Sequence, residues 1–121
     1  MNNILWAAQG WLAAIFLVAG LIKLVKPKAE LERLKGMAYV TERSAAEMKL
    51  IGLAEVLGAA GLVLPWLLEI IPVLTPIAAA GLTVTMLGAI LTHWRRKEPV
   101  AVPAILLLLT LFVTLGRFDI V

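Results

Sequence analysis

Glu55 is the one charge in the run from Leu50 to Pro65, which is otherwise aliphatic residues, alanine and glycine before its closing proline. Lys23 stands at the end of an earlier apolar run, and His93, the single histidine of the chain, at the end of a later one. A carboxylate, an ammonium and an imidazole have the chemistry to pair with one another, to hold a polar head group, or to serve a proton or a quinone oxygen. Gln9 adds an amide suited to donating between helices, and Trp11 lies deep enough in the first apolar run to line a cavity. Cysteine is absent, so the chain has no disulfide, thiolate metal site or dithiol relay of its own. With one histidine, a multi-histidine metal site needs a second subunit. No metal ligand and no catalytic residue is assigned.

The elements that must position these groups follow from composition. Of 121 residues 62% are hydrophobic, and the mean hydropathy of +0.99 belongs to the membrane class. Four apolar stretches, at about 4–25, 48–68, 71–93 and 100–116, approach the ~20 residues of a spanning helix. None alternates like a barrel strand, and backbone groups in hydrocarbon must be satisfied internally. The expected fold is all-α: a single polytopic domain, a bundle of four transmembrane helices. The first stretch is too long for a signal-peptide core and lacks a positive flank before it, so no cleavage is expected.

Charge sets the orientation. Lys23, Lys26, Lys28, Arg33, Lys35, Arg43 and Lys49 lie at or in the first connection, and Arg95, Arg96 and Lys97 in the third, which leaves Arg117 of the eleven basic residues. The basic face is expected in the cytoplasm and both termini outside. Mixed charges beside the membrane are what topology demands, so nucleic acid is not an expected partner. Within the first connection, Ser44-Ala45-Ala46-Glu47 reads as a capping box that starts the second helix near Ala45. Lys28 to Lys35 reads as a short interfacial helix ended by Gly36. Pro65, Glu69 and Pro72 mark a tight outer hairpin, and Pro76 and Pro103 fall in first turns, where proline is tolerated.

This topology gives the polar residues depths. Glu55 lies about 7 Å beyond Leu50, at ~1.5 Å per residue, and His93 and Lys23 reach the same cytoplasmic level. Gln9 lies in the outer half, and Glu69 and Arg117 at the outer face, where they can pair with Asp119 as a competitor. Gln9, Ala13, Phe16, Gly20 and Lys23 share one stripe; Gly52, Glu55 and Ala59 another; Gly81, Thr85, Gly88 and Thr92 a third; Thr110, Thr114 and Arg117 a fourth. Small and hydroxyl residues suit interfaces between membrane helices, so these stripes are expected to face the bundle. A lipid-facing carboxylate at this depth would cost several kcal/mol or neutralise itself. Glu55 is therefore expected to meet Lys23 or His93, either as a structural pair or as part of a site. Lys23 has the alternative of snorkelling to the head groups, and His93 beside Trp94-Arg95-Arg96 that of an interfacial anchor. Trp6 and Trp66 fit aromatic belts.

Ala19-Gly20-Leu21-Ile22-Lys23-Leu24 followed by Pro27, the whole stretch from Leu50 to Pro65, and Ala80-Gly81-Leu82, Met86, Gly88-Ala89 and His93 resemble the DoxX-like family over nearly the whole chain. The resemblance implies a small four-helix protein of the bacterial inner membrane, in a wider family with subunits tied to thiosulfate:quinone oxidation and to oxidative-stress complexes. Lys23, Glu55 and His93 fall on the family's lysine, glutamate and histidine; the resemblance supplies no catalytic assignment for them. The expected function is a redox-associated module that binds a quinone-like or lipid-like molecule or anchors a partner redox enzyme, with homo-oligomerisation open and catalysis by this chain alone not expected. The binding half comes from the convergence of polar groups, the redox half from the family. Alternatives are a small proton-coupled transporter of the minimal homodimeric exporter type and a purely structural anchor.

Overall fold

The structure, a computed structural model, describes residues 1–119. Among the described residues the chain is helical without strands: α1 (Asn2–Val25), the short α2 (Lys28–Leu31), a 3-10 turn (Ala38–Glu42), α3 (Ala45–Leu68), α4 (Leu74–Arg95) and α5 (Ala101–Arg117). Helices α1, α3 and α4 are long and apolar enough to cross a membrane. The apolar α5, 17 residues and about 26 Å at ~1.5 Å per residue, completes the four-helix bundle. Arg96 pairs with Glu42, and the Arg43 guanidinium donates to the Thr92 hydroxyl, so the first and third connections share one end, the basic end. The α3–α4 hairpin, the start of α1 and the end of α5 share the other, the hairpin end, where Arg117 meets Asn2 and Trp66.

The bundle is apolar outside and partly polar inside. Leu57, Val84, Leu91 and Leu108 point outward, whereas Gln9, Glu55, Thr75, Thr110 and Arg117 are buried with Leu12, Phe16, Leu62 and Val113. Helices α1 and α3 touch through glycines: a Cβ on Gly20 would lie 2.7 Å from the Gly52 carbonyl oxygen, and one on Gly52 2.8 Å from that of Gly20. On α4 the core face is Thr75, Ala79, Leu82 and Met86. Gly81 and Gly88, expected to face the bundle, have open space where a Cβ would stand, because their stripe borders a groove beside the core instead.

The connection between α1 and α3 folds onto the bundle. The helix expected through Lys35 closes after Leu31, because Leu31, Val40 and Met48 bury one another and draw the chain over the basic end. Ser44 and Glu47 form the expected capping box at the start of α3. The Lys49 ammonium donates to the carbonyls of Leu24 and Lys26, closing the C-terminus of α1 where a positive charge is favoured.

Pro65 lies inside α3, not in the hairpin. It lacks the amide that would bond the Gly61 carbonyl four residues back; the Thr75 hydroxyl of α4 donates to that oxygen at 2.8 Å. The turn comes later, with Glu69 in the left-handed region at φ 56° as the C-cap of α3.

Candidate functional site

Lys23 and Glu55 form an ion pair between α1 and α3, and the Glu55 side chain is 3% exposed. The expected alternative for Lys23, snorkelling to the head groups, is not what the helix direction allows. Side chains tilt toward the N-terminus of their helix. Because α1 runs toward the basic end and α3 away from it, Lys23 leans inward and Glu55 leans toward the basic end, so they converge. The Gly20–Gly52 crossing one turn away holds the two helices close enough for the pair.

Beside this pair lies a cavity of about 200 Å³, lined by Lys23 and Glu55 together with Ile51, Met86, Ala89, Thr92, His93, Tyr39 and Arg43. His93 does not bond Glu55. Its Nδ1 lies 2.9 Å from a Glu98 carboxylate oxygen, an acceptor, so Nδ1 is the donor of that bond. That hydrogen bond, reinforced by Arg96, holds the Glu98 carboxyl below the usual carboxylate range. Tyr39 packs edge-to-face on His93, ring centroids 5.4 Å apart. Burial, with the nearby Glu55 charge, pushes its phenol up to about 12, so the hydroxyl stays a donor at any physiological pH. Arg43 donates to the Thr92 hydroxyl at 3.2 Å, and that hydroxyl lies 2.9 Å from the Gly88 carbonyl. A polar vestibule of about 210 Å³, lined by Glu42, Arg43, Thr92 and Arg95, adjoins the cavity. The arrangement offers donors of several strengths around one carboxylate, with apolar walls between them.

Lys23, Glu55 and His93 thus share one cavity, and Gln9 and Trp11 do not. Gln9 is buried in the other half, where its amide donates to the Leu62 carbonyl at 2.6 Å. Trp11 is 70% exposed and lies over α5 beside Leu109 and Phe112, on the lipid-facing side rather than in an interior cavity. Its place on the helical wheel, two residues after Gln9, turns it away from the bundle.

Arg117 does not pair with Glu69 as expected. It is buried; its Nε donates to the Gln9 side-chain oxygen at 2.7 Å and its Nη1 to that of Asn2 at 2.8 Å. Trp6 and Trp66, expected as belt residues, flank the guanidinium with ring centroids 5.3 and 4.5 Å away. The side chain of the last residue of α5 tilts back along its helix, into the bundle, while Glu69 stays exposed in the turn.

Tyr39 and Arg43, which line the cavity, and Glu98, which holds the His93 ring at its edge, are the residues that sequence reasoning missed. All three lie in connections without helical periodicity, and the signal available was proximity in sequence: Arg43 directly precedes the capping box and Glu98 follows His93 by five residues. No curated protein and no solved structure matches the chain. The sequence model of the DoxX-like family matches residues 7–115, from the first turns of α1 to the last turns of α5, and the chain belongs to that family.

Proposed function

We propose that this membrane protein binds the polar head of a quinone-like molecule in the cavity at its basic end. The observation that carries the reading is the buried Lys23–Glu55 pair standing on the wall of a cavity instead of being packed on all sides. A pair that only fixed helix register would need no open space beside it. The Lys23 ammonium, with two further N–H groups beyond its bond to Glu55, and the Tyr39 hydroxyl are donors for carbonyl oxygens. The His93 imidazole, held through Nδ1 by Glu98, lies beside them, while Ile51, Met86 and Ala89 supply apolar wall for a ring. The redox setting is drawn from the family alone, and anchoring of a partner enzyme would use the same membrane body. By the distribution of lysine and arginine, the basic end faces the cytoplasm and both termini lie outside the inner membrane.

The test is a titration of the purified protein in nanodiscs with a benzoquinone carrying one isoprene unit. A parallel measurement follows proton flux in vesicles containing the protein. Saturable quinone binding without flux supports the reading. Flux with no quinone binding would favour the proton-coupled transporter, and neither signal a structural anchor.

A further inference from the structure

The cavity beside Lys23 and Glu55 extends as far as Thr85, and a second depression of about 390 Å³ begins at the same residue. It follows the seam between α3 and α4 toward the hairpin, past Gly58, Gly61 and Ala78, as far as Leu74. Between Thr85 and Leu74 the groove covers roughly 16 Å of α4 at ~1.5 Å per residue. The two helices touch along its floor, where a Cβ on Gly58 would meet the Leu82 side chain at 2.8 Å and one on Gly61 the Ala78 Cβ at 2.7 Å. Gly81 opens a notch above that floor, with nothing within 4 Å of its Cβ position. The Thr85 hydroxyl is satisfied by the Gly81 carbonyl at 3.0 Å, so no free polar group interrupts the passage. Leu57 and Ile77 on the groove's rim are 62% and 50% exposed, so its open side faces the hydrocarbon.

We propose that this groove takes the apolar chain of the same molecule whose head occupies the cavity, which makes the ligand a long-tailed amphiphile, an isoprenoid quinone in type. The inference rests on the head-group reading above and adds to it the path and the class of the tail. The cavity of about 200 Å³ holds a ring-sized head. The vestibule and the way past Thr85 are two routes for a chain attached to that head. The vestibule is walled by Glu42, Arg43, Thr92 and Arg95, three of them charged, where an apolar chain would strip water from ions without return. The way past Thr85 is apolar, meets the cavity at that residue and is open to the membrane from which such a molecule would enter. Glycine and alanine along the seam let a chain lie against helix backbone, the close van der Waals contact that replaces the hydrophobic effect inside a bilayer.

Three single variants in nanodiscs of one lipid composition test this, each titrated with the one-isoprene benzoquinone and with its eight-isoprene homologue. The ratio of variant to wild-type Kd, taken probe by probe, cancels the different partitioning of the two molecules into lipid. Gly81→Leu fills the notch in open space; it should leave the short probe unchanged and weaken the long one about tenfold, the scale of a filled apolar subsite. Gly10→Leu, at an equally open glycine on the exposed face of α1, should leave both unchanged. Gly88→Leu, which fills the head cavity, should abolish binding of both. A diazirine on the long tail at the third or fourth isoprene unit from the ring, the part that reaches the hairpin end of the groove, should label residues 74–78, a readout that needs no variant. Equal effects of Gly81→Leu on the two probes, or tail labelling confined to α1 or α5, would overturn the groove while short-probe binding lost in Gly88→Leu keeps the head site. Absence of saturable binding of either probe to the wild type would overturn both.

Discussion

At the scale of single residues, the Lys23–Glu55 pair carries the account. Removing one partner of a buried ion pair leaves the other charge uncompensated, which typically costs about 3–5 kcal/mol. Glu55→Leu should therefore lower thermal stability in detergent strongly, and adding Lys23→Met should recover most of the loss. A neutral Glu55→Leu would mean that the carboxylate reaches water. Tyr39 allows a second test, because it is the single tyrosine of the chain. Its phenolate absorbance should rise with a midpoint near 12, not at the ordinary value of ~10. The sign follows from linkage: a folded-state pKa raised above the unfolded one stabilises fully below pH ~10 and is lost as pH climbs toward the folded value. Stability of the wild type should thus fall over that window, and that of Tyr39→Phe should fall less. An ordinary midpoint would place the ring in water. The convergence of Lys23, Glu55 and His93 was legible in the sequence because helices of fixed rise and alternating direction assign depth to every residue. The choice of partner was not legible, since depth says nothing of which neighbour in a loop, here Glu98, reaches the imidazole first.

At the scale of elements, Pro65 links three helices. By freeing the Gly61 carbonyl it gives α4 a place to bond through Thr75, while Gln9 of α1 bonds the adjacent Leu62 carbonyl. Thr75→Val keeps the shape and leaves a buried acceptor unpaired, at a cost of about 1–3 kcal/mol. The measurement is the thermal midpoint of that variant against Thr75→Ser, which retains the hydroxyl and should stay near the wild type. Equal loss in both would show that packing, not the hydrogen bond, matters at Thr75. The capping box of Ser44 and Glu47 could be read from spacing because it is a local device, complete within four residues. The position of Pro65 could not, since a proline near a hairpin suggests a turn and the compensating hydroxyl lies ten residues later on another helix. The inward turn of Arg117 was hidden for a similar reason: Trp6, Gln9 and Trp66 come from two other helices. The faces of Gly81 and Gly88 were misassigned because small residues serve a close helix crossing and an open groove equally well.

At the scale of the whole molecule, the asymmetry of charge supports the proposed orientation of the bundle. The absence of native cysteine makes single-cysteine labelling unambiguous. Glu69→Cys should react with an impermeant maleimide in intact cells, and Lys35→Cys only after permeabilisation; equal reaction of both from outside would reverse the orientation inferred from the positive-inside rule. The four-helix architecture and its lipid-facing belt followed directly from the lengths of the apolar runs, because a bilayer leaves few alternatives. The site was harder to see, since Tyr39 and Arg43 reach its wall from a connection folded over the basic end by Leu31, Val40 and Met48. The most direct measurement is titration of the Lys23→Met/Glu55→Leu double variant with the one-isoprene benzoquinone, beside its thermal midpoint. The account predicts a variant that regains most of the stability lost in Glu55→Leu and no longer binds the quinone. A double variant that is stable and binds with wild-type affinity would contradict it, and would make the pair a structural lock with no part in a site.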